Sequence, residues 1–221
     1  MRDLLLAKAP HDWDITTSAK PEEIISVMGR NGWKTVDGAG RRFGTVIVVI
    51  NHIAYEVTTF RNEFYGQDSH RPKNITFSST LKEDLSRRDF TVNALAIGRD
   101  GVVYDYFDGT KDLRNKKLRT VGKAEERFRE DALRLFRACR FIGQLDFMAD
   151  KSLVRGMASA FDRVSGLSLE RVREEVEKLL VSPFAARGLD LLVRTGLNEC
   201  SCRIRENGRT EAVKILPELS H

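Results

Sequence analysis

Residues 80–95, Thr-Leu-Lys-Glu-Asp-Leu-Ser-Arg-Arg-Asp-Phe-Thr-Val-Asn-Ala-Leu, set the adjacent Arg87 and Arg88 against Asp89, with the amide of Asn93 four residues on. Guanidiniums bind phosphate bidentately, and a carboxylate or amide can fix a ribose or a base edge. Asn93 falls inside an apolar run of Val92, Ala94, Leu95, Ala96 and Ile97, where a buried amide needs hydrogen-bond partners. The run predicts a strand over 90–98, on which Asp89, Thr91 and Asn93 share one face. The bland alternative is an edge strand opened by surface charge, with Asn93 in a turn; the polar stripe across an apolar run favours the functional reading.

Upstream, 44–50 and 53–60 are two β-branched runs, and Asn51-His52 between them suits a two-residue hairpin turn. A helix is predicted over 21–31, with Pro21 in its first turn and Glu22 and Glu23 favouring its dipole. Residues 4–8 read as the tail of a helix, 11–17 as a short strand, 61–74 as a polar loop and 102–107 as a further strand. From Lys123 the period changes to helical over 123–145, 151–163, 169–181 and 184–195. This places a domain boundary near residue 120, while 197–216 carries no readable pattern and 216–221 a weak helix start.

Two other segments belong with the opening stretch. On a strand, Asp12 and Asp14 point the same way and Trp13 and Ile15 the other. Two carboxylates on one face can hold Mg2+, a hard cation that keeps positions open for phosphate. Two exposed strand-end aspartates are also ordinary solvated surface, so the pair gains force only from its company. In the segment from Glu130 to Phe141, Phe128, Leu135, Phe136, Cys139 and Ile142 form one apolar side of a helix. Arg127, Glu130, Asp131, Arg134 and Arg137 occupy the opposite arc, and ordinary ion pairing at helical spacing accounts for them on physics alone. The sharper reading is that Asp131 and Arg134 present an acceptor and a donor fork to a base edge, each contact contributing about 1–3 kcal/mol of discrimination.

With 37 Lys and Arg against 32 Asp and Glu, the net charge of +5 favours an anionic partner without naming one. No run approaches the roughly 18 apolar residues of a membrane span. Cys139, Cys200 and Cys202 are odd in number and suit a reducing cytosol, and the four histidines are too scattered for a metal site. No phosphate-cradling glycine loop and no Ser/His/Asp arrangement is present.

Together, Asp12-Trp-Asp14, Arg87-Arg-Asp-Phe-Thr-Val-Asn-Ala94 and Glu130-Asp-Ala-Leu-Arg134 resemble the class II tRNA nucleotidyltransferase and bacterial poly(A) polymerase family over nearly the whole chain. Asp105-Tyr-Phe-Asp108-Gly109, Glu56-Val-Thr-Thr-Phe-Arg61 and Ser168-Leu-Glu-Arg171 resemble its smaller motifs. The resemblance implies an α+β fold, a polymerase-β-like nucleotidyltransferase head with a mixed sheet (1–120) followed by an all-helical neck (121–221) that selects the nucleotide and binds RNA. The activity implied is template-independent addition of CMP and AMP to the tRNA 3′ end from CTP and ATP in the cytoplasm, with release of pyrophosphate. Asp12 and Asp14 would be the catalytic, Mg2+-holding pair, with Glu56 and Asp105 both candidates for a third carboxylate. Arg2, Arg88, Asp89, Asn93, Asp131, Arg134, Arg137 and Arg140 would bind the nucleotide, Asp131 and Arg134 reading its base.

Family members begin with a strand and a Gly-Gly pair before the segment matched by Arg2-Asp3-Leu4-Leu5, and continue into tRNA-binding domains. The expectation is therefore of a head and neck truncated at both ends. Poly(A) polymerases commonly carry proline where Ala132 stands, and CC-only enzymes resemble this chain with a shorter loop after Arg61. Enzymes adding only the final A, and an inactive remnant that binds RNA or nucleotide, are the remaining alternatives.

Overall fold

The computed structural model describes residues 1–10, 13–36, 40–65, 72–206 and 209–216. The chain folds as two compact units, Met1–Phe64 with Lys73–Arg88 and Tyr65–Pro72 with Asp89–His221.

The first unit opens with α1 (Arg2–Leu5), β1 (Asp14–Thr17), α2 (Pro21–Arg30), β2 (Lys34–Val36), β3 (Thr45–Ile50) and β4 (Ile53–Thr59). Its sheet runs β1-β4-β3-β2, with β1 parallel to β4 and the other pairs antiparallel. Asn51 and His52 form the predicted hairpin turn, both in the left-handed region at φ 51° and 66°, which matches the twist of the flanking strands. Val46, Val48 and Val57 project from one face against Ile24, with Ile25 and Met28 packed alongside. Alternation sends Thr45, Glu56 and Thr58 to the opposite face, and parallel register puts Asp14 beside Glu56 and Thr16 beside Thr58 there. One face is thus core, and the other carries the polar groups, with Ile47 and Val49 among them.

Within the segment 61–74, whose polarity suggests a loop, the described residues 61–65 and 72–74 lie in strands. Arg61–Tyr65 (β5) pairs with Pro72–Phe77 (β6). The ordering signal is electrostatic, because Arg61 and Glu63, two residues apart on a strand, form an ion pair at 2.8 Å. A helix, α3 (Leu81–Ser86), follows, capped by Thr80, whose hydroxyl accepts the Glu83 N–H at 3.3 Å.

The second unit begins with the second departure from expectation. Thr91–Asn93 is a 3-10 turn, and only Leu95–Ile97 (β7) is strand, paired with Val103–Asp105 (β8). Asp89 decides this, because its Oδ1 accepts the Phe90 N–H at 2.7 Å and the Asn93 amide at 3.0 Å, bending the chain back on itself. After α4 (Gly109–Arg114) and β9 (Lys117–Leu118), the predicted 123–145 helix is two helices, α5 (Ala124–Glu130) and α6 (Leu133–Leu145). The break is at Asp131, which is extended at φ −144° and caps the new helix by accepting the Leu133 N–H at 3.0 Å.

Next come β10 (Met148–Ala149), parallel to β9, and α7 (Lys151–Met157), which passes into a 3-10 helix over Ala158–Gly166 rather than continuing to 163 as an α-helix. The helices α8 (Leu169–Leu180) and α9 (Ala185–Arg194) pack on α6. Gly188 lies so close to the Cys139 carbonyl that a Cβ there would collide, which is how α9 approaches the α6 backbone. Residues 197–216, unreadable by period, hold a 3-10 turn (Leu197–Glu199) and a hairpin of β11 (Ser201–Glu206) and β12 (Arg209–Lys214). The expected helix start at 216–221 lies outside the described residues beyond Leu216. Among the described residues no helix is long and apolar enough to cross a membrane.

Candidate active site

In the first unit the polar sheet face carries the candidate acids. Asp12 lies outside the described residues. Asp14 opens β1, is exposed, and sits in register with exposed Glu56 on β4. Neither carboxylate makes a hydrogen bond or ion pair with a described residue. Two hard oxygen donors side by side fit Mg2+, although among the described residues no group of three His, Cys, Asp or Glu is placed to hold a metal ion. Asp105, the other candidate third carboxylate, is committed elsewhere. It accepts the Gly109 N–H at 2.8 Å and the Thr110 N–H and hydroxyl at 2.9 and 2.6 Å at the start of α4.

Of the predicted arginines in this unit, Arg2 pairs with Asp3 at 2.9 Å. Arg88 follows α3 and lies 4.0 Å from Asp84, a carboxylate of that helix with no exposed surface.

The second unit gathers Asp89, Asn93, Arg137 and Arg140 into one network. The Nε and Nη2 of Arg137 both donate to Asp89 Oδ2, at 2.8 and 2.6 Å, while Oδ1 takes Asn93 and the Phe90 backbone. Burial opposes ionisation of Asp89, but Arg137 and these donors outweigh it and hold the carboxyl below the ordinary carboxylate range. Arg140 donates to Glu175 Oε2 at 2.5 Å and to Gln144 at 3.0 Å, and its guanidinium lies 4.2 Å from the Phe141 ring centre. Glu175 also stands 3.7 Å from Arg137. A chain of alternating charge, Asp89, Arg137, Glu175, Arg140, therefore ties the 3-10 turn and α8 to α6.

Asp131 lies at the helix break and shares the first turn of α6 with Arg134, whose backbone N–H donates to the Asp131 carbonyl at 3.1 Å. Asp131 caps α6 with one oxygen and meets Arg171 of α8 at 3.4 Å with the other. Arg134, expected on a polar arc, is instead buried at 6% exposure. Its Nη1 donates to the Arg127 carbonyl, left free by the break, at 2.9 Å and to Glu130 at 2.6 Å.

Sequence reasoning passed over Glu175 and Asp84. Glu175 stands with Val172, Val176 and Leu179 on the buried stripe of α8, so an acid on an apolar helical face was its available signal. For Asp84 the signal was Thr80-x-x-Glu83, a capping pattern announcing a short helix that brings Asp84, Arg87 and Arg88 onto one side.

Residues 1–119 match the Poly A polymerase head domain family, and residues 146–200 the family described as "Probable RNA and SrmB- binding site of polymerase A". The CCA-adding enzyme of Lactobacillus gasseri is 46% identical over the whole chain and 54% of its own length. That of Geobacillus stearothermophilus is 46% identical over 90% of this chain and 48% of its own. The chain therefore spans about half the length of these curated relatives. The crystal structure of the Bacillus stearothermophilus CCA-adding enzyme in complex with CTP matches with a TM-score of 0.79 at 45% identity, over 89% of this chain and 46% of that one. The Thermotoga maritima CCA-adding enzyme complexed with tRNA matches at 0.73 and 25% identity, over 90% and 45%. The fold is thus the expected α+β one, a nucleotidyltransferase head of the polymerase-β kind with a helical neck, but the neck is not all-helical as expected, because 121–221 also holds β10 and the β11–β12 hairpin.

Proposed function

The chain belongs to the Poly A polymerase head domain family, and from that membership we propose that it is the head and neck of a tRNA nucleotidyltransferase that adds C, C and A to the tRNA 3′ end from CTP and ATP in the cytoplasm. We divide it functionally into a head over 1–120 and a neck over 121–221. The observation that carries the reading is the pair of carboxylates, Asp14 and Glu56, in register on the polar sheet face, with no hydrogen bond or ion pair to a described residue.

In this reading Asp12, Asp14 and Glu56 would hold Mg2+, which when bound supplies charge neutralisation at the transferred phosphoryl group and activation of the tRNA 3′ hydroxyl. Arg2 and Arg88 neutralise phosphate oxygens. Asp89 and Asn93 shape the turn against which the ribose lies, with Arg137 and Arg140 as fixed positive charge. Arg134 donates to O2 and N3 of cytosine or to N1 of adenine, and Asp131 accepts from the exocyclic amine that both bases carry. Uracil and guanine offer a carbonyl and a ring N–H at those positions, so the same pair rejects them.

Incorporation of radiolabelled CTP and ATP, separately and together, into tRNA lacking its 3′ end tests the proposal. Addition of C, C and A by the wild type is expected, and absence of any incorporation overturns it. Arg134→Ala is expected to raise UTP and GTP misincorporation by about 10- to 100-fold relative to CTP. Unchanged selectivity in a variant that still melts cooperatively removes α6 as the reader of the base.

A further inference from the structure

We propose that Asp84 is a positioning residue of the transfer site, setting both the strand that carries Asp14 and the side chain of Arg88 from one buried carboxylate. The inference rests on the function proposed above. Its two oxygens have separate duties. Oδ1 accepts the backbone N–H of Arg61, at the start of β5, at 3.3 Å, and the Arg87 guanidinium at 3.0 and 2.9 Å. Oδ2 accepts the Thr16 hydroxyl at 3.3 Å and lies 4.0 Å from Arg88. Arg61 and Arg87 meet again on Glu63, at 2.8 and 2.7 Å, so two acids and two arginines close an alternating ring at the base of the β5–β6 pair.

Thr16 is the informative member. It stands two residues from Asp14 on the same face of β1, and Asp14 itself has no hydrogen bond or ion pair to a described residue. Its hydroxyl is therefore the described side-chain tie that fixes this face of the strand laterally, and the tie runs to Asp84. A carboxylate with no exposed surface is a costly way to hold a helix when an apolar side chain would pack as well. What it offers instead is direction. It orients a strand edge, a loop base and an arginine together, and an error of about 1 Å at a reacting group can cost ~100-fold in rate.

Three variants of the full chain test this: Thr16→Val, which removes only the hydroxyl, Thr16→Ser, which keeps it, and Asp84→Asn. The readouts are Mn2+ binding followed by water proton relaxation without turnover, the Mg2+ dependence of CTP incorporation, and the melting temperature. Thr16→Val is expected to weaken Mn2+ binding and raise the half-saturating Mg2+ concentration by about 10-fold, with Thr16→Ser within about twofold of wild type. Asp84→Asn is expected to show at least the same shift. If Thr16→Val binds Mn2+ like Thr16→Ser, and Asp84→Asn alters only the melting temperature, the carboxylate merely holds the fold and the positioning role is overturned. A wild type that neither binds Mn2+ nor transfers nucleotide overturns the function proposed above, a result distinguishable from equal behaviour of the variants in an active protein.

Discussion

Asp14→Ala is expected to lower CMP and AMP incorporation by ~1,000-fold or more while leaving tRNA affinity and unfolding almost unchanged. The asymmetry follows from where the side chain sits. Asp14 is exposed at the start of β1 and bonds to no described residue, so its removal breaks no packing and costs within about 0.5 kcal/mol of stability. Its charge is what the site loses. Asp14 stands in register with a second anion at Glu56, and like charges side by side repel unless a cation lies between them. Glu56→Gln is expected to act in the same direction with a smaller loss, because it keeps an oxygen donor and gives up only charge. Comparing single-turnover incorporation with tRNA gel-shift affinity separates the two effects. Near-normal turnover in Asp14→Ala removes the acid from the reaction.

How much of this was legible in the chain depended on whether the signal was local. The β3–β4 hairpin was, because β-branched runs and a two-residue turn are adjacent in sequence. So were α2, α8 and α9, whose stripes repeat at 3.6 residues. The 3-10 turn at Thr91–Asn93 was not, because an apolar β-branched run reads as strand until the Asp89 carboxylate competes for the backbone. The break before α6 was hidden for the same reason, since nothing in Glu130-Asp131-Ala132 forbids helix and the cap of Asp131 on Leu133 wins only in context. The hairpin over Ser201–Lys214 has little alternation to read, and long-range anchoring holds it, with the Arg203 N–H on the Leu167 carbonyl at 2.7 Å. The site residues were named from their company in the chain. Their partners Glu175 and Arg171 come from elsewhere in the fold and were not, whereas Asp84, four residues before Arg88, carried a local signal that was passed over.

The second large effect is on stability. Asp89→Ala is expected to cost about 3 kcal/mol, because it strips Arg137 of its two short bonds while leaving the guanidinium against Phe141 and Glu175. The 3-10 turn loses its organising acceptor in the same stroke, since Asn93 and the Phe90 N–H both depend on Oδ1. Asp89→Asn keeps an acceptor and the shape, so it is expected to lose about half as much. The pH dependence fixes the sign. The folded carboxyl is held below its unfolded value, so its contribution is fully present above about pH 4 and is lost as the pH falls through the lower folded value. The stability gap between wild type and Asp89→Asn should therefore be constant at neutral pH and close on acidification. Urea unfolding at a series of pH values measures it. A gap that stays constant down to the acid limit would mean that the charge on Asp89 contributes nothing, and that the turn is held by its shape alone.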